Sequence, residues 1–343
     1  MKTRYQTIQE DLKKDPKHWL ITGVAGFIGS NLLEALLQLN QTVTGLDNFA
    51  TGFQVNLQDV QKNVSSDQWK RFNFIEGDIA DPSICKKACK NINFVLHQAA
   101  LGSVPRSIAD PLSSNNANIS GHLNMLVAAK DSAVDQFVYA ASSSTYGDHP
   151  ELPKLEDNIG KPLSPYAVTK LVNELYSRVF FDTYAFDSIG LRYFNVFGRR
   201  QAVNSAYAAV IPEWLGSIMA GEDIFINGDG ATSRDFTYID NVIQANILAA
   251  HIKNRPPEQI YNIAAGSRTS LLELHSIIVN NIAEKNPALK IDAPKFRDFR
   301  PGDVRHSLAD ITKAKEFLGY DPFYTVQQGL EYTVEWYLSN PHA

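Results

Sequence analysis

The amino-acid sequence predicts an α/β fold, a doubly wound parallel sheet with helices on both faces, joined to a smaller C-terminal α/β subdomain that faces a substrate. Three observations predict it. Short apolar, β-rich runs alternate with amphipathic helical stretches as far as Gly198, the pattern of βαβ units. A glycine-rich turn joins the first such run to the helix after it, and an aspartate closes the second run.

The elements follow in order. Residues 1–17, "MKTRYQTIQEDLKKDPK", are polar and lack the apolar stretch of a signal peptide; they predict a short surface helix ending before Pro16. "HWLITGVA" reads as the first strand, "IGSNLLEALLQL" as the helix packed on it, and "TVTGLDN", "RFNFIEGD" and "FVLHQAA" as the next strands. "NISGHLNMLVAAKDS" is helical, "QFVYAAS" is a strand covered on both faces, and a long helix starts near Pro165. Beyond Gly198 the alternation loosens into short elements and loops rich in Gly, Asp and Arg. The expected organisation is an N-terminal extension (1–17), a dinucleotide-binding Rossmann domain (18–198) and a mainly substrate-binding subdomain (199–343) with crossing segments. No fixed-period repeat or low-complexity linker separates them.

Composition narrows the function. With 343 residues, 44% hydrophobic and 20% charged, the chain can bury a large core. A formal net charge of −5 and the lack of a basic run argue against nucleic acid or an anionic membrane as partner. No stretch reaches the roughly 18 apolar residues of a membrane span. Cys85 and Cys89 have no ligand-spaced companions and read as free thiols, with no metal expected. A cytoplasmic protein acting on a small molecule is the expectation.

The turn "TGVAGFIG" sets Gly23, Gly26 and Gly29 between strand and helix. Glycines there let backbone N–H groups approach a pyrophosphate at the positive end of the helix. Asp47, at the end of the second strand, is positioned to accept hydrogen bonds from the ribose of NAD and to repel the extra phosphate of NADP. Asp78 and Ile79 are expected beside the adenine, and Ala99 and Ala100 at the same sheet edge. Glycines alone would equally serve tight packing; the strand, turn, helix and acid together point to NAD.

Ser142, Ser143 and Ser144 follow a buried strand, where ordinary turn chemistry would also explain them. Downstream, Ser164 and Pro165 open a helix on which Tyr166 and Lys170 share one face. An ammonium beside a phenol stabilises the phenolate and pulls its pKa down toward the range of a general base. With a dinucleotide loop upstream, Ser142, Tyr166 and Lys170 form a set able to oxidise a sugar hydroxyl.

These residues together resemble the extended short-chain dehydrogenase/reductase family over nearly the whole chain. Within it, "LRYFNVFGRRQ" and "DGATSRDFTYIDNV" are similar to the nucleotide-sugar epimerases. "ALGSVPRS", "AASSSTYGDHP" and "GDVRHS" are similar to the bacterial group acting on UDP-N-acetylglucosamine for surface polysaccharide. The resemblance implies reversible 4-epimerisation of UDP-N-acetylhexosamines through a 4-keto sugar with tightly bound NAD. It adds Phe27, Ile28, Asn48, Asn118 and Phe194 to the cofactor contacts, Asn118 at the ribose side and Phe194 at the nicotinamide. Dehydratases of the family carry Thr-Asp-Glu where this chain has three serines, so the acid pair for eliminating water is missing.

The resemblance also implies the substrate contacts. Ser142 relays the sugar hydroxyl, Ser143 and Ser144 line the sugar pocket, and Ser103 and Arg106 lie near it. Asn195 contacts the diphosphate-linked sugar; Arg234 and Arg300 clamp the diphosphate, with Asp303 orienting. Tyr207, Val210, Trp214 and Asn227 fall on the uridine side. Phe225 stacks on uracil or serves as a core aromatic. Ser307 stands where epimerases restricted to unsubstituted sugars place a tyrosine, leaving room for an N-acetyl group. Ala202-Val203-Asn204-Ser205 replaces the usual Asp-Pro-Asn-Gly, so UDP-N-acetylglucosaminuronate stays open as substrate, as does net oxidoreduction that releases NADH. A homodimer through the helix bearing Tyr166 and the helix near residues 117–130 is also implied.

Overall fold

The computed structural model describes residues 2–203, 209–252, 259–299 and 304–340. Seven strands form one sheet: β1 (His18–Thr22), β2 (Thr42–Asp47), β3 (Phe72–Glu76), β4 (Phe94–His97), β5 (Gln136–Ser142), β6 (Ser188–Tyr193) and β7 (Gln259–Ile263). Their order is β7-β6-β5-β4-β1-β2-β3, and every neighbouring pair is parallel. This is the expected Rossmann-type α/β sheet. The strand order reverses between β1 and β4, which opens a crevice at their carboxyl ends.

Alternation along each strand feeds two cores. Trp19 and Ile21 point into one and Leu20 into the other. Apart from short helical turns, the helices are α1 (Arg4–Lys14), α2 (Phe27–Gln38), α3 (Gln54–Asn63), α4 (Pro82–Ala88), α5 (Gly121–Asp131), α6 (Pro165–Tyr184), α7 (Val210–Ala220), α8 (Ile239–Ala250), α9 (Leu271–Lys285) and α10 (Val326–Ser339). Leu32 and Leu36 of α2 and Val242 and Ile243 of α8 fill the first core; Met125 and Leu126 of α5 and Phe180 of α6 fill the second. Strand β7 and helix α8 both come from the second half of the chain, so the sheet is completed by segments beyond Gly198.

The N-terminal segment is helical, as expected, and it is docked against the rest of the chain. Thr3 caps it with a capping box. Leu12 is buried and its carbonyl accepts from Gln41 Nε2 at 2.9 Å. Arg4 Nη1 donates to the Phe317 carbonyl at 3.0 Å, and the rings of Tyr5 and Phe323 lie 5.8 Å apart.

Across the sheet's carboxyl edge lie α7, a parallel pair formed by Phe225–Asn227 and Lys295–Arg297, and an antiparallel pair formed by Ser233–Arg234 and Thr269–Ser270. Arg200, fully buried, pairs with Glu34 on α2 and, at 2.6 Å, with Asp59 on α3. A lone charge at that depth would be costly, and the two acids offset it. Among the described residues no helix is long and apolar enough to cross a membrane, and no cluster of His, Cys, Asp or Glu could hold a metal ion.

Candidate active site

The turn after β1 is built around two glycines that accept no side chain. Gly23 has φ +71°, and a Cβ on it would lie 2.9 Å from the backbone of Ala99. A Cβ on Gly29 would lie 2.0 Å from the Gly23 carbonyl oxygen. Any larger residue would push the turn outward and close the approach to the start of α2. Gly26, Phe27 and Ile28 line the same cleft, a space of ≈ 630 Å³ over the crevice between β1 and β4.

Asp47 lines this cleft and also braces it. Its Oδ2 accepts from the Ala25 N–H at 2.9 Å and its Oδ1 from the Phe49 N–H at 2.8 Å. Burial pushes its pKa up, and these donors pull against that shift. Asn48 donates to Asp78 Oδ2 at 2.9 Å, and both lie at the cleft wall with Ile79, Ala99 and Ala100. Ser103 and Arg106 line the far side. Glycines that a Cβ would block, a helix N-terminus and an enclosed acid beside it suit a dinucleotide.

Two expected cofactor contacts sit elsewhere. Phe194 is fully buried, with its ring 5.9 Å from that of Tyr146, and lines neither this cleft nor the adjoining ones. It follows Tyr193, the last residue of β6, and strand alternation turns the two side chains to opposite sides; it is Tyr193 that faces the crevice. Asn118 lies in a widened helical turn, Asn116–Ser120, of the kind found where a helix is bent to a task. Its Oδ1 accepts from Leu101 N–H at 2.7 Å, and its Nδ2 donates to the Leu101 carbonyl at 3.0 Å and to Thr169 Oγ1 at 3.1 Å. It ties the loop after β4 to α6 instead of facing the cleft.

Ser142, Tyr166 and Lys170 meet in a smaller cleft of ≈ 240 Å³. It shares Tyr166, Ala100, Asn195 and Val196 with the larger one. The Ser164 side chain caps α6, accepting from Ala167 N–H at 3.1 Å. The Tyr166 N–H donates to Ser107 Oγ at 3.0 Å, which fixes the start of the helix. Lys170 Nζ donates to the Ala140 carbonyl at 2.7 Å and lies 5.8 Å from the centre of the Tyr166 ring. Burial lowers the Lys170 pKa to about 8.

The phenol differs from the expectation. Burial raises the Tyr166 pKa, and a hydrogen bond with Ser142 opposes the rise. Lys170 is turned toward the Ala140 carbonyl, so the ammonium alone does not pull the phenol down. Of the other serines, Ser144 Oγ donates to Ser142 Oγ at 2.9 Å. Neither Ser143 nor Ser144 lines the cleft.

Asn195, at φ +36°, stands where three clefts join, and its Nδ2 donates to the Asp235 carbonyl at 3.0 Å. The third cleft, ≈ 270 Å³, is lined by Val210, Trp214, Phe225, Asn227 and Arg234. Five residues separated in sequence, four expected on the uridine side of the substrate and Arg234 expected at its diphosphate, thus line one cleft. Trp214 Nε1 donates to the Phe225 carbonyl at 3.1 Å, holding α7 to the short strand. Ser307 lines none of these clefts; its N–H donates to the Ser233 carbonyl at 3.1 Å. Tyr207, Arg300 and Asp303 lie outside the described residues.

Sequence reasoning missed Gln98 and Tyr193, which line the catalytic cleft. Gln98 Oε1 accepts from the Tyr193 hydroxyl at 3.1 Å, and Asn246 Nδ2 donates to the Tyr193 oxygen at 2.9 Å. The one signal in the sequence was the polar pair inside otherwise apolar strand ends, "LHQAA" and "LRYFN". Arg297, stacked on Phe225, was also missed.

Comparisons with known proteins agree with this geometry. Residues 19–264 match the pattern of the NAD dependent epimerase/dehydratase family. UDP-glucose 4-epimerase of Mycolicibacterium smegmatis is 33% identical over 320 residues, covering 93% of this chain and 97% of that protein. The solved structure of UDP-N-acetylglucosamine 4-epimerase from Methanobrevibacter ruminantium M1, in complex with UDP-N-acetylmuramic acid, matches with a TM-score of 0.85 and 36% identity, covering 94% of this chain and 99% of that one. UDP-glucuronic acid 4-epimerase from Bacillus cereus, solved with UDP-glucuronic acid and NAD, matches with a TM-score of 0.83 and 31% identity, covering 94% and 99%. The chain belongs to the NAD-dependent epimerase/dehydratase family, and NAD is its cofactor.

Proposed function

We propose that the protein is a UDP-sugar 4-epimerase whose substrates are UDP-N-acetylglucosamine and UDP-N-acetylgalactosamine. One observation carries the choice of reaction: among the described residues lining the catalytic cleft, none is Asp or Glu. Elimination at C5 and C6 requires a placed acid and base. A cleft that brings together Ser142, Tyr166 and Lys170 suits oxidation at C4 and its reversal. The N-acetylated substrate is supported by the relative from Methanobrevibacter ruminantium and by the motifs shared with that group.

Ser142 orients the 4-hydroxyl, and Tyr166 takes its proton and later returns one to the same oxygen. Lys170, one helical turn on, supplies positive charge to the phenolate. NAD, when bound, supplies the acceptor for hydride from C4, a reversible store for it, and a positive charge beside the phenol. Asn195, at the meeting of the clefts, and Arg234 hold the diphosphate while the 4-keto sugar turns over about its link to it.

The test is to incubate the purified protein with UDP-N-acetylglucosamine, without added NAD, and follow anomeric protons by NMR. Appearance of UDP-N-acetylgalactosamine supports the reading. Turnover of the uronate alone would replace the substrate, since Arg106 at the cleft wall suits a carboxylate. Stoichiometric NADH release would replace the reaction.

A homodimer through α6 belongs to the same proposal. Val168, Leu175 and Val179 form an exposed apolar stripe on that helix, 46%, 57% and 53% accessible. Ile108 and Leu112, on the short helices packed beside α6, are exposed apolar residues as well. An exposed apolar stripe of this kind on a single chain suits an interaction surface.

A further inference from the structure

Resting on the nucleotide-sugar reading, we propose that Arg297 is a movable cap on the base subsite: it covers Phe225, yields the ring to the incoming base, and moves to the diphosphate. The guanidinium carbon of Arg297 lies 3.2 Å from the centre of the Phe225 ring, so one face of the aromatic that could stack a base is already covered. Both residues line the cleft that adjoins the cofactor site through Asn195, Val196 and Ala209.

The strand pairing explains why the cap sits there. Phe225–Asn227 runs parallel to Lys295–Arg297, with Arg297 opposite Asn227, and the Gly228 N–H donates to the Arg297 carbonyl at 2.8 Å. The backbone of Arg297 is therefore fixed, while its long side chain is exposed and can swing. At an exposed site a guanidinium on a phenyl face is a weak contact, whereas a nucleobase offers a full π-face to the same ring. The displaced guanidinium then has a better partner within the cleft, because diphosphate oxygens match its fork of donors. Among the described residues, the charged ones lining this cleft are Arg234, Arg297 and Glu213, two cations to one acid, a balance that suits a diphosphate. Base recognition and phosphate clamping are thereby linked through one side chain.

The linkage predicts opposite signs for two ligands. Calorimetric titration of the NAD-loaded protein with uridine and with UDP compares wild type, Arg297→Ala and Arg297→Lys. Arg297→Ala is expected to bind uridine at least threefold more tightly, since the competitor for the ring is gone. The same variant should bind UDP about tenfold more weakly and with a shallower salt dependence. Arg297→Lys, which keeps the charge but stacks poorly, should retain most UDP affinity. Weaker or unchanged uridine binding by Arg297→Ala would overturn the cap and make Arg297 a base ligand or a bystander. Unchanged UDP binding would overturn the hand-off to phosphate. Wild-type protein that binds neither ligand would remove the nucleotide-sugar reading along with the cap, whereas tight UDP binding with the wrong signs removes the cap alone.

Discussion

Lys170 stands 5.8 Å from the centre of the Tyr166 ring, one helical turn away on the same inward face of α6. The ammonium is buried and its pKa falls from 10.5 to about 8. That shift corresponds to a native-state cost of about 3 kcal/mol at neutral pH. The cost is fully present below about 8, where both folded and unfolded chains carry the proton. It disappears as pH rises toward 10.5, where neither does. Lys170→Met removes the cost but leaves the Ala140 carbonyl without its donor, worth about 1–3 kcal/mol. The melting temperature of the variant relative to wild type should therefore fall as pH rises from 7 to 10, while epimerase turnover is lost throughout. Thermal unfolding of both proteins across that range checks it; a difference independent of pH would mean that Lys170 is buried without its charge.

Tyr166→Phe keeps the ring and its packing and removes only the hydroxyl. General acid–base groups contribute roughly 10²–10⁴-fold, so turnover should drop by about that factor with the melting temperature little changed. A variant retaining a tenth of wild-type turnover would move the proton-transferring role to another group, with Ser142 the first candidate.

Asp47 has two tasks, and a substitution separates them. Its oxygens accept from Ala25 and Phe49 N–H groups inside the glycine turn, and leaving those donors unmet costs about 1–3 kcal/mol. Asp47→Ala should lower stability by that order and purify with less NAD per chain. Asp47→Asn keeps one acceptor oxygen, so it should recover part of the stability while still weakening NAD. The ratio of absorbance at 260 and 280 nm, read beside a melting curve, distinguishes the outcomes.

The parts of the site legible in sequence are those whose chemistry is local. Gly23, Gly29 and Asp47 declare themselves because one turn imposes φ, close approach and charge on a few neighbouring positions. Tyr166 and Lys170 are visible because a helix puts them on one face. Gln98 and Tyr193 were hidden because their meaning depends on Asn246, brought from the far half of the chain by α8. Phe194 is turned away from the cleft because a strand end sends neighbours to opposite sides, which a motif naming residues in a row does not show. The family resemblance implied a cofactor contact for Asn118, and its amide is engaged by the Leu101 backbone and Thr169. The sheet was legible through β5; β6 was not singled out as a strand, and the edge strand β7 comes from a stretch in which the alternation of strand and helix had already loosened.

The stripe of Val168, Leu175 and Val179 makes the dimer testable by a change that leaves the interior alone. Leu175 is more than half exposed, so Leu175→Asp costs the folded chain little but places a charge at the centre of an apolar contact. Sedimentation should show wild type as a dimer and the variant as a monomer at micromolar concentration. A dimer that survives Leu175→Asp and Val179→Asp together would locate the contact on another face.

Asp235 supplies the clearest pH signature of the fold. It is fully buried, accepting from Ala265 N–H at 2.9 Å and Ala309 N–H at 3.2 Å. Burial raises its pKa from 3.8 to about 7 against the pull of those donors. A folded-state pKa above the unfolded one means that the native chain holds the proton more tightly. The resulting stability is fully present below about 3.8 and is lost as pH rises through about 7, an effect of about 4 kcal/mol at most. Asp235→Asn cannot titrate and keeps one acceptor for the backbone donors. Wild type should therefore exceed the variant most at pH 5, with the gap shrinking by pH 8, as read from melting temperatures in matched buffers. A gap that instead widened with pH would show that the carboxylate is ionised in the folded protein throughout and that its N–H donors outweigh its burial.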